Sequence, residues 1–121
     1  MKAFIVFSIS ILLSGCQWSN SDLGDSYYYL DSYEAVDVGF PDGAIIYKSS
    51  TKDLYQEIKI TKQVVQVSHN DRFILVKQLT NKDRLDTNYF IIHKKYDIVY
   101  GPMNLNSFTK IKSFLKIEIN E

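Results

Sequence analysis

Residues 63–79 read QVVQVSHNDRFILVKQL, and this stretch decides the fold class. Gln63 to Ser68 is a β-branched run, His69-Asn70-Asp71 is a turn, and Arg72 to Leu79 is a second apolar run. Two such runs around a short polar turn predict a β-hairpin. Val65 and Val67 are two residues apart and are expected on one face of the first strand. On the return strand, Phe73 and Leu75 fill one face, and Ile74 and Val76 the other. A strand apolar on both faces is central in its sheet and needs a cover on its second side.

Reading downstream, Thr80 to Thr87 is a charged loop and Asn88 to His93 (NYFIIH) is another two-sided strand. Lys94 to Asp97 is a turn and Ile98 to Tyr100 a short last strand. Gly101-Pro102 is expected to stop the sheet, because proline has no N–H to give to a ladder. Upstream, Tyr27-Tyr28-Tyr29-Leu30, with Tyr33 beyond, is aromatic and strand-prone. Phe40-Pro41-Asp42-Gly43 is a turn, Ala44 to Lys48 a short strand, Ser49 to Asp53 a loop, and Leu54 to Ile60 is ambiguous.

The cover is expected near the C-terminus. Leu105, Phe108, Ile111 and Leu115 recur at helical spacing, and Phe114 widens the stripe. Asn104 or Asn106 would cap the helix start. Lys110, Lys112 and Lys116 fall late, where they suit the C-terminal dipole. Ile117-Glu118-Ile119 would add a short edge strand or fray. The expected architecture is α+β: a single small antiparallel β-sheet of about five or six strands covered by a short C-terminal helix.

The N-terminus carries a different signal. MKAFIVFSISILLSGC opens with one positive charge at Lys2, followed by an eleven-residue apolar run, Ala3 to Leu13, broken only by two serines. That run is short of the about 20 residues a bilayer-spanning helix needs, and it fits the apolar region of a secretory signal peptide. Leu13-Ser14-Gly15-Cys16 then resembles the lipobox of bacterial lipoproteins. The resemblance implies cleavage before Cys16, a lipid on that thiol, and membrane anchoring outside the cytoplasm, at the outer membrane if the host is Gram-negative. Two or three acyl chains meet the two-signal requirement for stable anchoring. The expected organisation is a signal peptide over 1–15, a lipidated tether over 16–24 and a small α+β domain over 25–121. In the tether, Trp18 would sit at the headgroup level or dock on the domain.

One set of segments is similar to a known family. Arg72 to Gln78, Asn88-Tyr89-Phe90-Ile91-Ile92-His93-Lys94-Lys95, Val99-Tyr100-Gly101-Pro102-Met103 and Phe108 resemble small bacterial lipoproteins grouped as domain of unknown function 3997. That resemblance implies the strand order just described and a lipoprotein. It brings no activity and no catalytic residues.

Composition narrows the chemistry further. With 121 residues there is room for one domain, and one cysteine leaves no intrachain disulfide and no cysteine-rich zinc site. Two histidines and five glycines hold no metalloprotease, P-loop or dinucleotide motif, and no G-x-S-x-G is present. His69 reads as a turn residue and His93 as the end of a buried strand. No catalytic, metal or cofactor-binding residue is assigned, and no cofactor is expected. Fourteen bases balance fourteen acids, so no global charge points to nucleic acid. The balance hides a segregation. Cys16 to Tyr47 holds six acids and no base, and Lys48 to the end holds thirteen bases and eight acids. The two parts either neutralise one another across one sheet or form faces of opposite sign that steer a protein partner or anionic headgroups.

Nine tyrosines follow the leader. Tyrosine offers wide contact area at low entropy cost and a polar tip. In a strand Tyr28 points away from Tyr27 and Tyr29, so one side of Tyr27, Tyr28 and Tyr29, together with Tyr33, is the expected contact surface. The function expected is therefore a membrane-anchored envelope lipoprotein with a non-enzymatic binding or accessory role toward an unidentified protein or envelope component. Two alternatives stand beside it: an immunity lipoprotein that protects against a secreted toxin, and a weak hydrolase or carbohydrate-active domain.

Overall fold

The computed structural model describes residues 20–80 and 86–119. Among the described residues are eight strands and two helices. The first half runs β1 (Asn20–Gly24), β2 (Tyr27–Leu30), α1 (Ser32–Asp37), β3 (Ile45–Lys48) and β4 (Glu57–Ile60). The second runs β5 (Val64–His69), β6 (Phe73–Leu79), β7 (Thr87–His93), β8 (Ile98–Met103) and α2 (Leu105–Phe114). Each half is a four-stranded antiparallel meander, ordered β1-β2-β3-β4 and β5-β6-β7-β8.

The expected single sheet of five or six strands is thus two sheets, and the expected lone C-terminal helix is one of two. The hairpin over 63–79 is present, with Val67 opposite Val76 and Ser68 opposite Leu75. Its two-sided return strand does lie inside a sheet, between β5 and β7. Period-two alternation reports that both faces are covered, but it is silent on whether a helix or a second sheet does the covering. Here both do. The inner faces meet in one core of Leu23, Tyr27, Ile46 and Ile60 from the first sheet and Ile74, Val76, Phe90 and Ile92 from the second. Ile74 and Ile92 are paired across β6 and β7 and both are fully buried. Burying each such side chain contributes about 1.5–3 kcal/mol, so this layer between the sheets dominates the stability.

The outer face of the second sheet, Phe73, Leu75 and Ile91, is covered by Phe108, Ile111 and Leu115 of the C-terminal helical segment and by Ile117. Asn104 caps α2, its side-chain oxygen accepting from Ser107 N at 2.8 Å. Phe114 points to solvent, 82% exposed, and does not widen the buried stripe as expected; Leu105 is exposed as well. Ile117 is buried in the same layer but belongs to no strand. The outer face of the first sheet is covered by α1. Asp31 caps it by accepting from Glu34 N at 2.9 Å, and Ala35 on its inner side is fully buried against the sheet.

Two further expectations change. Val65 and Val67 do not share a face, because a bulge between Val64 and Gln66 turns Val65 outward while Val67 packs inward. Gly101-Pro102 does not end the last strand, which continues to Met103. As β8 is an edge strand, the missing N–H of Pro102 removes no ladder bond. Gly101 sits at φ +124°, and a Cβ there would lie 2.6 Å from the Tyr89 carbonyl oxygen, so only glycine lets this edge close on β7.

The sheets are tied at both ends. At one end Gln63 N donates to Asp42 O and Val64 N to Ala44 O, both at 3.1 Å. At the other, the turn between β7 and β8 reaches across to the first sheet.

Candidate interaction surface

On the outer face of the first sheet four aromatic rings form a continuous cluster. Tyr28 and Tyr47 are register partners on β2 and β3, and their rings stack with centroids 5.2 Å apart. Tyr47 meets Tyr55 edge-on at 4.8 Å, and Tyr55 meets Phe40 edge-on at 5.4 Å. Tyr47 is fully buried, its hydroxyl accepting from Asp53 N at 3.2 Å, while Tyr28, Phe40 and Tyr55 keep part of each ring in solvent. Such T-shaped and stacked pairs add about 0.5–1.5 kcal/mol each beyond burial. The cluster is therefore a rigid platform.

Beside it, α1 places Tyr33 at 86% exposure and Val36 at 55%. The charges on this side are acidic. Among the described residues, Asp31, Glu34, Asp37 and Asp42 make no ion pair within 4 Å. Burial pushes the Tyr55 hydroxyl above its ordinary pKa, and Tyr47, Asp53 and Glu34 push it further. Glu34 thus acts on the rim of the ring cluster. The arrangement is an aromatic and aliphatic surface bordered by uncompensated carboxylates.

Two bases of the same sheet, Lys48 and Lys59, are engaged at its other end. Lys59 Nζ lies 2.9 Å from Glu57 and 3.0 Å from Asp97, and Lys48 Nζ lies 3.7 Å from Asp97. Tyr27 is fully buried and donates its hydroxyl to the same Asp97 carboxylate. Burial alone would raise Asp97, but the hydrogen bonds from Tyr27 and Lys59 and the charges of Lys59 and Lys48 outweigh it and hold the carboxyl low. Burial and Asp97 together push the Tyr27 hydroxyl far up. For Lys59, burial pulls down, and the bonds to Glu57 and Asp97 more than reverse it. This network locks the turn of the second sheet onto β2, β3 and β4.

The sequence-expected surface residues separate in the structure. Tyr28 does point opposite Tyr27 and Tyr29: it joins the outer cluster, while they pack on the core between the sheets. Tyr27 offers no contact area, because its ring is buried, and Tyr29 is half-buried. Tyr33 lies on α1, beyond the strand. Cys16 and residues 16–19 of the expected tether lie outside the described residues; from Asn20 the chain is already the edge strand β1. His93 is sandwiched between Phe73 and Tyr96, each with centroids 4.8 Å away. His69 lines an open cleft at the turn end of the sheets.

Three contributors were missed by the sequence reading: Phe40, Tyr47 and Tyr55 as one cluster. The sequence does carry a signal for α1, whose Ala35 packs in the same cluster. Asp31 followed by Glu34 three residues on is a helix N-terminus pattern.

Comparison with known families matches residues 26–120 to the family described as a protein of unknown function (DUF3997). The chain belongs to that family. The match opens in the turn before β2 and runs past α2, so it takes in the aromatic platform, the Asp97 network and the second sheet of the DUF3997 domain. The resemblance read from Arg72–Gln78, the YFIIHKK segment and Val99–Met103 is thereby shown. No curated protein and no solved structure matches the chain.

Proposed function

We propose that this DUF3997 protein is a lipid-anchored, extracytoplasmic binding domain that acts by contact, its acidic aromatic face receiving a basic segment of a partner protein. The observation that carries the reading is Tyr33, 86% exposed on a helix whose neighbouring carboxylates Asp31, Glu34 and Asp37 make no ion pair among the described residues. A lysine or arginine side chain seated there would gain the carboxylates and the faces of partly exposed tyrosines together. Desolvated cation–π contacts of this kind are worth about 2 kcal/mol, well above an exposed ion pair. Among the described residues, no group of three or more His, Cys, Asp or Glu is placed to hold a metal ion.

The anchor rests on the leader and on Leu13-Ser14-Gly15-Cys16. Among the described residues no helix is long and apolar enough to cross a membrane. In this reading a lipid on Cys16 is the attachment. Four residues of chain reach at most about 14 Å, which would hold Asn20 and the paired Leu30 near the bilayer surface. The α1 side would then meet partners at the membrane. A basic secreted toxin is one such partner, and a toxin gene beside this one in several hosts would identify it. The anchor is tested by Cys16→Ser. The expected result is loss of the acyl mass and release from the membrane fraction; unchanged membrane retention with no acyl mass difference contradicts it.

A further inference from the structure

At the opposite end of the sheets from α1, an open cleft of about 600 Å³ lies between the β1–β2, β5–β6 and β7–β8 turns. Its walls are Asp22, Gly24, His69, Asn70, Asp71 and Lys94. Lys94 is the unusual member. It is 4% exposed, and among the described residues its ammonium has one hydrogen bond, to the Leu23 carbonyl oxygen at 2.5 Å. Among the described residues no carboxylate lies within 4 Å of it. An ammonium carries three donors, and burying one without a paired anion is costly. Burial holds its pKa below the ordinary lysine range, with Asp25, Asp71 and Asp22 acting to restore it from a distance.

The other walls are committed or wet. Asn70 spends its oxygen on Arg72 N and Phe73 N, both at 2.8 Å. Asp22 accepts from Gly24 N at 2.8 Å but stays exposed, and Asp71 is exposed. His69 is held below its usual pKa by burial and then by the Lys94 charge, against a smaller opposing pull from Asp22. The cleft thus pairs a donor-rich cation at its base with two carboxylates at its rim, and among the described residues no Ser, Thr or Cys lines it.

We infer that this cleft binds a small amphoteric ligand, its carboxylate on Lys94 and its ammonium toward Asp22 and Asp71, as the end of a peptide or a free amino acid would present them. The rim excludes simple polyanions, because Asp22 and Asp71 repel any ligand lacking a compensating cation. A monocarboxylate alone satisfies only the base of the cleft. This site is separate from the α1 face, so it stands or falls independently of the partner proposed there.

The test is calorimetric titration of the full chain with triglycine, N-acetyltriglycine, triglycinamide and inorganic phosphate. Triglycine is expected to bind at least tenfold more tightly than either blocked peptide or phosphate. Lys94→Met is expected to abolish that binding. Should Lys94→Met fail to fold, Asp71→Asn at an exposed position tests the same claim, with triglycine weakened at least fivefold and N-acetyltriglycine bound no more weakly than by the parent. Absence of triglycine binding overturns the inference, as does equal binding of blocked and free peptides, phosphate binding as tight as triglycine, or an Asp71→Asn variant that binds triglycine like the parent. Free alanine in a parallel titration separates the two sources. Binding comparable to triglycine assigns a free amino acid, and much weaker binding assigns a peptide end.

Discussion

Tyr27 on β2 and Asp97 in the β7–β8 turn, seventy residues apart, share a hydrogen bond that joins the two sheets at the end opposite α1. The donor is fully buried, and the acceptor also holds Lys59 and Lys48. Tyr27→Phe removes the bond and leaves the ring in place. A hydrogen bond to a charged group contributes about 1.5–3 kcal/mol, and with Lys59 still on Asp97 the loss should be about 1.5 kcal/mol. Urea denaturation of parent and variant measures it as a shift in midpoint at constant slope.

The same carboxylate sets an acid limb. Asp97 titrates lower in the folded chain than in the unfolded one, so the unfolded state binds more protons across that interval. Its contribution is complete above the unfolded aspartate pKa of about 3.9 and is lost as pH falls through the folded value. Asp97→Asn should flatten the stability profile below about pH 4, which denaturation at stepped pH will show. Tyr27 acts in the opposite sense at the alkaline end. Its folded pKa is raised, so the folded state keeps a proton that the unfolded state loses. Stability should fall as pH rises above about 10, and less so in Tyr27→Phe.

Gly24 is the close neighbour of the buried lysine. It sits at φ +91°, and a Cβ there would lie 2.8 Å from Lys94 Nζ. Gly24→Ala carries a backbone penalty of about 1–3 kcal/mol together with the clash. Lys94→Ala relieves only the clash, so the double variant should be less destabilised than the sum of the singles. A double-mutant cycle by denaturation reads this coupling, and strict additivity would contradict the contact.

Tyr33 and Phe114 are the most exposed large apolar side chains among the described residues, at 86% and 82%. Tyr33→Ala and Phe114→Ser should each change stability by less than about 0.5 kcal/mol in thermal or urea unfolding. A larger loss at Tyr33 would mean that it supports α1 and is not free for contact.

Much of the second sheet is legible in the sequence alone. The hairpin over 63–79, the two-sided strand ending at His93 and the Asn104 cap are local patterns, set by alternation, turn residues and a capping oxygen. The first sheet was less so, for physical reasons. β2, β3 and β4 are four residues each, too short for alternation to fix a partner. β1 is polar and small in sequence, and among its described side chains only Leu23 is buried. That the halves stack as separate sheets depends on contacts between Tyr27, Ile46, Ile74 and Ile92, which no spacing encodes. The candidate surface was seen as tyrosines in sequence, but Tyr27 is spent on the core, and the ring cluster is completed by Phe40 and Tyr55 from distant loops. Charge segregation was visible as counts. Which acids remain uncompensated required knowing that Asp97 draws in Lys48 and Lys59.

The most direct test of the interaction surface is quantitative crosslinking on intact cells, comparing the parent with a Tyr33→Ala, Glu34→Gln, Asp37→Asn variant of matched folding and membrane level. A basic partner recovered with the parent at low salt should fall at least tenfold with the variant, and its recovery should decline as salt rises. Recovery of the same partners in equal yield from both proteins would contradict the assignment of the α1 face.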